Sequence, residues 1–444
     1  MKCIGKVIAT VLLVVGGSVA LAATSEKSEQ IPMAKFCAGC HQPQTGMMMG
    51  FLDNISIKAK TIQMSFISHK DTVKFTEETE FRNVKSFKDI RRYKNKGFRI
   101  NFTEKNGDKY ATEIVRFDIL KTVATEEKLT TEAFKKQLHD KNVAIYDVRP
   151  PMMYKAAHIA GAKPLPAPMF DKFAKTLPEN KETPVILYGP GGCLSPTTSI
   201  RAKRLGYTNV KIYTRGFGEW SRTEYSVTTP DWLKMTINKG IPVVLIDVRP
   251  EESARQGHIK GSVSIPFDRL EESKDSFPKQ KNAPIVVYGE GKEEAARKII
   301  SWGYRAVRIL PVSFAKWEES GNPVQAGPAS TRIVYVPKPK PGTIGIEAFT
   351  KIAEESPADV LLVDVRNPHE VDKGVLKHAV NIPTDQIQQR LKELPIDKDI
   401  VFYCPNGVRA EMAYNMLNNS GRKSRYLDAS IQINMNGNFR IREK

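Results

Sequence analysis

The chain has 444 residues, 41% of them hydrophobic and 26% charged, which excludes both a disordered chain and an integral membrane bundle. That length predicts three or four domain-sized units, and five cysteines are too few for a disulfide scaffold. The net charge of +19 points to an anionic partner: a small anion, an acidic protein or a lipid surface.

Residues 1–22 read as a signal peptide. Lys2 and Lys6 precede an apolar run from Val7 to Val15, and Ala20-Leu21-Ala22 offers the small residues that signal peptidase needs. The run is shorter than the roughly 20 residues that span a bilayer, so cleavage before Ala23 is expected rather than anchoring. The mature protein should then be periplasmic or otherwise exported, with no transmembrane segment. Nucleic acid is not expected as a partner.

Residues 23–50 form an arm that carries Phe36-Cys37-Ala-Gly-Cys40-His41. Cys-x-x-Cys-His is the attachment pattern of a c-type haem: the two thiols form thioethers and His41 reaches the iron. A disulfide between Cys37 and Cys40, or another metal, are the alternatives. Zinc lacks a second Cys-x-x-Cys to complete its ligand set. Met47, Met48, Met49 and His69 are candidates for a second axial ligand. Against that stand ordinary packing for the methionines and a surface position for His69.

Residues 51–127 predict a small β-rich domain. Alternation in Ile57-Lys-Ala-Lys-Thr-Ile62, then Val73-Lys-Phe75 and Phe98-Arg-Ile-Asn-Phe102, reads as strands, and Asn106-Gly107 as a hairpin turn.

From residue 128 the chain repeats itself. Val143-Ala-Ile-Tyr-Asp-Val-Arg-Pro150, Val243-Val-Leu-Ile-Asp-Val-Arg-Pro250 and Val360-Leu-Leu-Val-Asp-Val-Arg-Asn367 are short apolar runs ending in Asp, as buried parallel strands do. The first two are followed by Ala157-His-Ile-Ala-Gly-Ala162 and Gly257-His-Ile-Lys-Gly-Ser262, the third by Gly374-Val-Leu-Lys-His-Ala379. A second run follows in each: Pro184-Val-Ile-Leu-Tyr188, Pro284-Ile-Val-Val-Tyr288 and Asp399-Ile-Val-Phe-Tyr403. Strands alternating with helices predict α/β domains with a parallel sheet and ligand-binding loops at the strand C-termini. The expected units are 128–225, 226–330 and 343–444. Pro- and Lys-rich 331–342 reads as an extended linker.

These motifs resemble the rhodanese (sulfurtransferase) family in three tandem copies. The resemblance implies that the residue after the second strand is a cysteine that carries sulfane sulfur as a persulfide. Only the third copy has it, in Tyr403-Cys404-Pro405-Asn406-Gly407-Val408-Arg409. There a loop at a helix N-terminus favours a thiolate, which is the nucleophile. Gly407 permits the tight curl, and Arg409 is expected to orient an anionic donor. The loop is one residue shorter than that of rhodanese-fold phosphatases, which weighs against phosphoryl chemistry. Counting 42 residues from Asp147 and from Asp247 reaches Gly189 and Gly289, so the second copy is expected to be inactive. In the first, Cys193 lies four places late, as a displaced nucleophile, a sulfur relay or a bystander. The third copy departs too: Val375 and His378 stand where the family has His and Gly, and the late Trp, present as Trp220 and Trp317, is missing.

The implied activity is an exported thiosulfate sulfurtransferase. It would take sulfur from a small anionic donor (thiosulfate, polysulfide or persulfide) through Cys404 to a thiol or other thiophilic acceptor. A haem on Cys37, Cys40 and His41 would link it to redox chemistry, with an acidic electron-transfer protein as partner. The alternative is a docking or scaffold protein in an extracytoplasmic redox assembly.

Overall fold

A computed structural model describes residues 45–66, 69–94, 96–116, 120 and 123–444. The signal-like segment and the Cys37, Cys40, His41 motif lie outside the described residues.

The first six strands are β1 (Met47–Ser56), β2 (Thr61–Ser65), β3 (Lys70–Lys74), β4 (Glu80–Arg82), β5 (Gly97–Lys105) and β6 (Asp108–Arg116). They lie in the order β3-β2-β1-β5-β6-β4. A parallel pairing of Lys74 with Tyr110 joins β3 to β6, so the sheet closes into a barrel. Closure removes the exposed sheet edges. Met48, Leu52, Ile62, Met64, Phe98, Ile100 and Ile114 fill the interior. Asn106 and Gly107 turn from β5 to β6 with φ of 53° and 80°, the positive angles that a two-residue hairpin turn needs.

Two expectations are corrected here. The barrel begins at Met47, inside the segment assigned to the arm. Three methionines and a glycine give no alternation by which to recognise a strand. Ile57-Lys-Ala-Lys-Thr-Ile62 is mainly the turn between β1 and β2. The Ser56 hydroxyl accepts from Ala59 N at 3.2 Å, and Lys60 takes φ 43°. Its apolar–polar alternation is a by-product of the turn.

Three α/β domains follow, each with a five-stranded parallel sheet of one order. In the first the order is Lys128–Leu129, Val210–Tyr213, Val185–Tyr188, Ala144–Asp147, Lys163–Pro164. The second runs Ser226–Val227, Val307–Ile309, Ile285–Tyr288, Val244–Asp247, Val263–Ser264. The third runs Thr343–Ile344, Ser424–Leu427, Asp399–Tyr403, Val360–Asp364, Val380–Asn381. All four residues of Val185–Tyr188 and of Ile285–Tyr288 are buried, which is why these runs lack alternation. Segment 331–342 has neither helix nor strand.

In the third domain a hairpin, Ser430–Ile433 with Phe439–Arg442, follows the last sheet strand. Its Ile431, Ile433, Phe439 and Ile441 pack with Phe349 and Tyr403. In the first two domains Trp220 and Trp317 occupy the equivalent cluster. The hairpin therefore fills the volume left by the missing tryptophan.

The chain folds back on itself. Helix Val408–Asn419 of the third domain lies against β1 and β3 of the barrel. Lys70 Nζ reaches Glu411 Oε1 at 2.5 Å. Asn419 Nδ2 donates to Lys70 O at 2.7 Å, and Asn415 Nδ2 to Gln63 Oε1 at 3.1 Å. Gln389 Nε2 donates to Asp108 Oδ2 at 2.8 Å. The barrel precedes the first domain in sequence, yet it docks on the last.

Candidate active site

Each α/β domain braces its central strand in the same way. Arg149, Arg249 and Arg366 pair with Asp147, Asp247 and Asp364 at 2.5, 2.7 and 2.5 Å. Each Arg Nη2 also donates to a carbonyl eight residues on, of Ala157, Gly257 or Gly374. The three aspartates are fully buried. A buried charge is tolerated only when it is paired and hydrogen-bonded, and these are. The pairs tie the strand end to the segment that follows and leave no acid free for chemistry.

Strand Asp399–Tyr403 ends at Cys404, and the loop curls into helix Val408–Asn419. Gly407 makes the curl with φ 71°. A Cβ there would stand 2.9 Å from Leu427 O and 3.0 Å from Asp428 Oδ1, so both conformation and space demand glycine. Pro405 O is fixed by Ile431 N at 3.1 Å. Cys404 is fully buried among Val363, Val365, Ile382 and Ile387. Its Sγ donates to Asn406 Oδ1 at 3.8 Å, and the same oxygen accepts from Val408 N at 3.3 Å. Exposed Asn406 thus bridges the buried thiol and the first turn of the helix.

Arg409, expected from the sequence to orient an anionic donor, lines the cleft beside the loop and is ion-paired. Its Nη1 and Nη2 donate to Glu370 Oε2 and Oε1 at 2.6 and 3.2 Å. Lys58 Nζ of the barrel sits on the same carboxylate at 2.7 Å. Burial would raise the Glu370 carboxyl, but the bonds from Arg409 and Lys58 outweigh it and hold the group down at about 2. Glu370 Oε2 also accepts from Asn367 N at 3.2 Å. Arg409 is therefore a positioning residue that ties the loop to the preceding helix and to the barrel.

A cleft of about 440 Å³ lies between barrel and loop. Pro405, Asn406 and Val408 form one wall; Leu52, Ile55 and the cations Arg91 and Lys94 belong to the other. Glu370, Lys58, Arg91 and Lys94 were missed by sequence reasoning. In Asn367-Pro-His-Glu370 the legible signal is a helix-capping pattern, which says nothing about an arginine 39 residues later. The barrel cations carry no motif at all.

The remaining candidates sit elsewhere. Gly189 and Gly289 follow their strands where Cys404 follows its own: Val148 N, Val248 N and Val365 N donate to the tyrosine carbonyl just before each. Cys193 is partly buried at the start of helix Leu194–Arg204 in the first domain, on a different loop from Cys404. Met47, Met48 and Met49 are buried in β1, and Met48 packs in the barrel interior. His69 is exposed and its ring stacks on Phe66 at 4.7 Å.

Comparison with known proteins agrees with the threefold repeat. The family described as Rhodanese-like domain matches residues 130–223, 229–320 and 347–432. A sulfurtransferase of Allochromatium vinosum is 41% identical over 63 residues, covering 14% of this chain and 59% of that protein. The uncharacterized protein YqhL of Bacillus subtilis is 42% identical over 60 residues, covering 14% of this chain and 48% of its own length. The chain thus spans about half the length of these relatives. Among solved structures, a thiosulfate sulfurtransferase from Pseudomonas aeruginosa aligns at 18% identity with a TM-score of 0.21, over 68% of this chain and 66% of that one.

Proposed function

Because the chain belongs to the rhodanese-like family, we propose that it is an exported sulfurtransferase whose sulfur carrier is Cys404. The observation that carries this reading is the loop itself. Cys404 stands at a strand end beneath a glycine-dependent curl that opens a twelve-residue helix, while the other two domains have glycine at that place. A helix N-terminus favours negative charge, and both the thiolate and the persulfide are anions.

With thiosulfate, the Cys404 thiolate attacks the outer sulfur, and the sulfur–sulfur bond breaks. Sulfite leaves with the electron pair, and Cys404 keeps a persulfide anion. An acceptor such as cyanide then attacks the outer sulfur of that persulfide, leaves as thiocyanate and restores the thiolate. Two easier displacements replace one difficult transfer. The positive end of the helix that opens above Cys404 favours the charge that develops on sulfur, and Arg409, held by Glu370, keeps the loop in shape.

Export rests on residues 1–22, and covalent haem on Cys37, Cys40 and His41. No helix among the described residues is long and apolar enough to cross a membrane. A bound haem would supply one-electron chemistry, for which an acidic electron-transfer protein is the fitting partner of so basic a chain; neither displacement above needs it. Of the candidate second ligands, Met48 is committed to the barrel interior.

The test is intact-protein mass spectrometry with a thiosulfate:cyanide assay, on protein made in a host that matures cytochromes c. Wild type should gain one sulfur and turn over, and Cys404→Ser should do neither. Activity that survives in Cys404→Ser and is lost on adding Cys193→Ser would move the carrier to Cys193. No turnover with stable capture of a partner would favour the scaffold reading instead. A spectrum without haem mass would leave Cys37 and Cys40 as a disulfide pair.

A further inference from the structure

We propose that the barrel is the second half of the catalytic site, and that Arg91 and Lys94 recognise the carboxylates of an organic thiol persulfide whose sulfur reaches Cys404. This rests on the reading of Cys404 as sulfur carrier and adds the substrate class and the residues that select it.

Charge is the first argument. Glu370 is shared by Arg409 and Lys58, so that trio keeps one net positive charge. Asp53, the other acid of the cleft, is engaged by Lys70 at 2.9 Å and by Gln63 Nε2 at 2.7 Å. Lys94 Nζ meets a neutral amide, Asn54 Oδ1, at 3.2 Å. Among the described residues Arg91 takes part in none of the ion pairs. The barrel wall therefore presents two cations not neutralised by an acid, facing a loop whose own arginine is already spent. A cleft lined by one sign of charge concentrates the opposite sign.

Size is the second. Thiosulfate has five heavy atoms, whereas a cleft of about 440 Å³ falls within the roughly 300–1,000 Å³ of sites that enclose organic molecules. Its lining also carries the apolar side chains of Ile57, Pro405 and Val408, none of them fully buried. An inorganic dianion has no use for such a lining; the carbon skeleton of an organic thiol does.

Rigidity is the third. Arg91 opens the turn Arg91–Tyr93 and Lys94 follows it, with fully buried Ile90 anchoring one side. On the other, the Tyr93 ring lies under the Arg116 guanidinium at 4.4 Å. Leu52 N also bonds Lys96 O at 3.0 Å, tying this segment to β1. The cations thus project from a fixed base, as a recognition site requires.

The step balances without an oxidant. The Cys404 thiolate attacks the terminal sulfur of R–S–SH, and the bond between the two donor sulfurs breaks. R–S⁻ leaves with the electron pair, and Cys404–S–SH remains. Run in reverse, the same site accepts R–S⁻ as the sulfur acceptor, so persulfide and thiol are two faces of one ligand.

The experiment uses the full-length protein, with glutathione persulfide and thiosulfate as donors and cyanide as acceptor. For Arg91→Ala/Lys94→Ala, the ratio of kcat/KM for glutathione persulfide to that for thiosulfate should fall about 10-fold, with the loss in KM, as for binding shared by ground and transition states. Arg91→Lys/Lys94→Arg should keep the wild-type ratio. Both cations are exposed, so the melting curve should match wild type and show that the fold is intact. An unchanged ratio, or equal losses for both donors, overturns the proposal while Cys404→Ser still abolishes turnover. Turnover that persists in Cys404→Ser would instead sink the reading on which the proposal stands.

Discussion

Lys58 Nζ, in the turn after β1, lies 2.7 Å from Glu370 Oε1 of the third α/β domain, across 312 residues of chain. The two cations on Glu370 differ sharply in setting. The Lys58 side chain is 64% exposed, that of Arg409 only 7%. An exposed pair contributes about 0–1 kcal/mol, whereas removing one partner of a buried pair costs about 3–5 kcal/mol because the other charge is left unpaired. Lys58→Ala should therefore lower stability by less than about 1 kcal/mol, and Glu370→Gln by about 3 kcal/mol with a loss of turnover as the loop loosens. Urea unfolding of both variants checks the contrast; equal losses would refute it.

Glu370 also sets an acid limit. Its carboxyl sits at about 2 in the fold against 4.5 ordinarily. Above about pH 4.5 it is charged in both folded and unfolded chains, and its pairing contributes in full. As pH falls below that, the unfolded chain binds the proton first, and the contribution is gone once pH passes the folded value near 2. Wild-type stability measured from pH 5 to 2 should drop more steeply than that of Glu370→Gln. Parallel acid limbs would show that the pair does not hold the loop.

The sequence made the three parallel sheets legible because each repeat carries two uninterrupted apolar runs at matching distances. The Cys404 loop was legible for a local reason: Cys404, Gly407 and Arg409 lie within six residues. Its surroundings were not. Glu370 reaches Arg409, and Lys58 reaches Glu370, only through tertiary packing, and nothing near Arg91 or Lys94 signals that the barrel folds back over the third domain. Charge complementarity between Lys70 and Glu411, 341 residues apart, has no local signature either. The pairing of Arg409 with Glu370 was illegible for the same reason. The Arg409 loop contains no acid, and the acid that pairs with the arginine arrives from another element.

His378 offers a separate test, on stability alone. It adopts φ 59°, where Gly161 and Gly261 of the other domains have φ 79° and 80°. A side chain in this region costs roughly 1–2 kcal/mol, partly offset by the lower unfolded-state entropy of a non-glycine residue, about 0.4–1 kcal/mol. His378→Gly should therefore stabilise the protein by about 0.5–1 kcal/mol. Gly161→Ala and Gly261→Ala should destabilise by a similar amount. A Cβ at either glycine meets nothing within 4 Å, so the effect is one of backbone alone. Thermal melts of the three variants decide it, and a destabilised His378→Gly would mean that the imidazole makes a contact worth more than its strain.

Gly289 shows that the second domain cannot be restored by returning its cysteine. It has φ 111°, and a Cβ there would lie 2.7 Å from Arg249 Cγ and 3.1 Å from Arg249 N. Arg249 cannot yield easily, because its guanidinium is bonded to Asp247 and to Gly257 O. Any side chain at 289 thus strains the backbone and presses on the brace that holds the strand end. Even a tolerated thiol would face a loop with Glu290 beside it, an acid that opposes both a thiolate and an anionic donor. Gly289→Cys in a Cys404→Ser background should lose about 1–3 kcal/mol of stability and gain neither sulfur-bound mass nor turnover. At Gly189 φ is ordinary, and the nearest neighbours of a Cβ are the Ser195 hydroxyl at 3.0 Å and Val148 Cγ2 at 3.2 Å. Gly189→Cys should therefore be better tolerated than Gly289→Cys. Thiosulfate loading followed by mass spectrometry, with melts of both variants, separates the cases. A persulfide formed on the thiol introduced by Gly289→Cys would show that the loop, and not the missing thiol, had been misjudged.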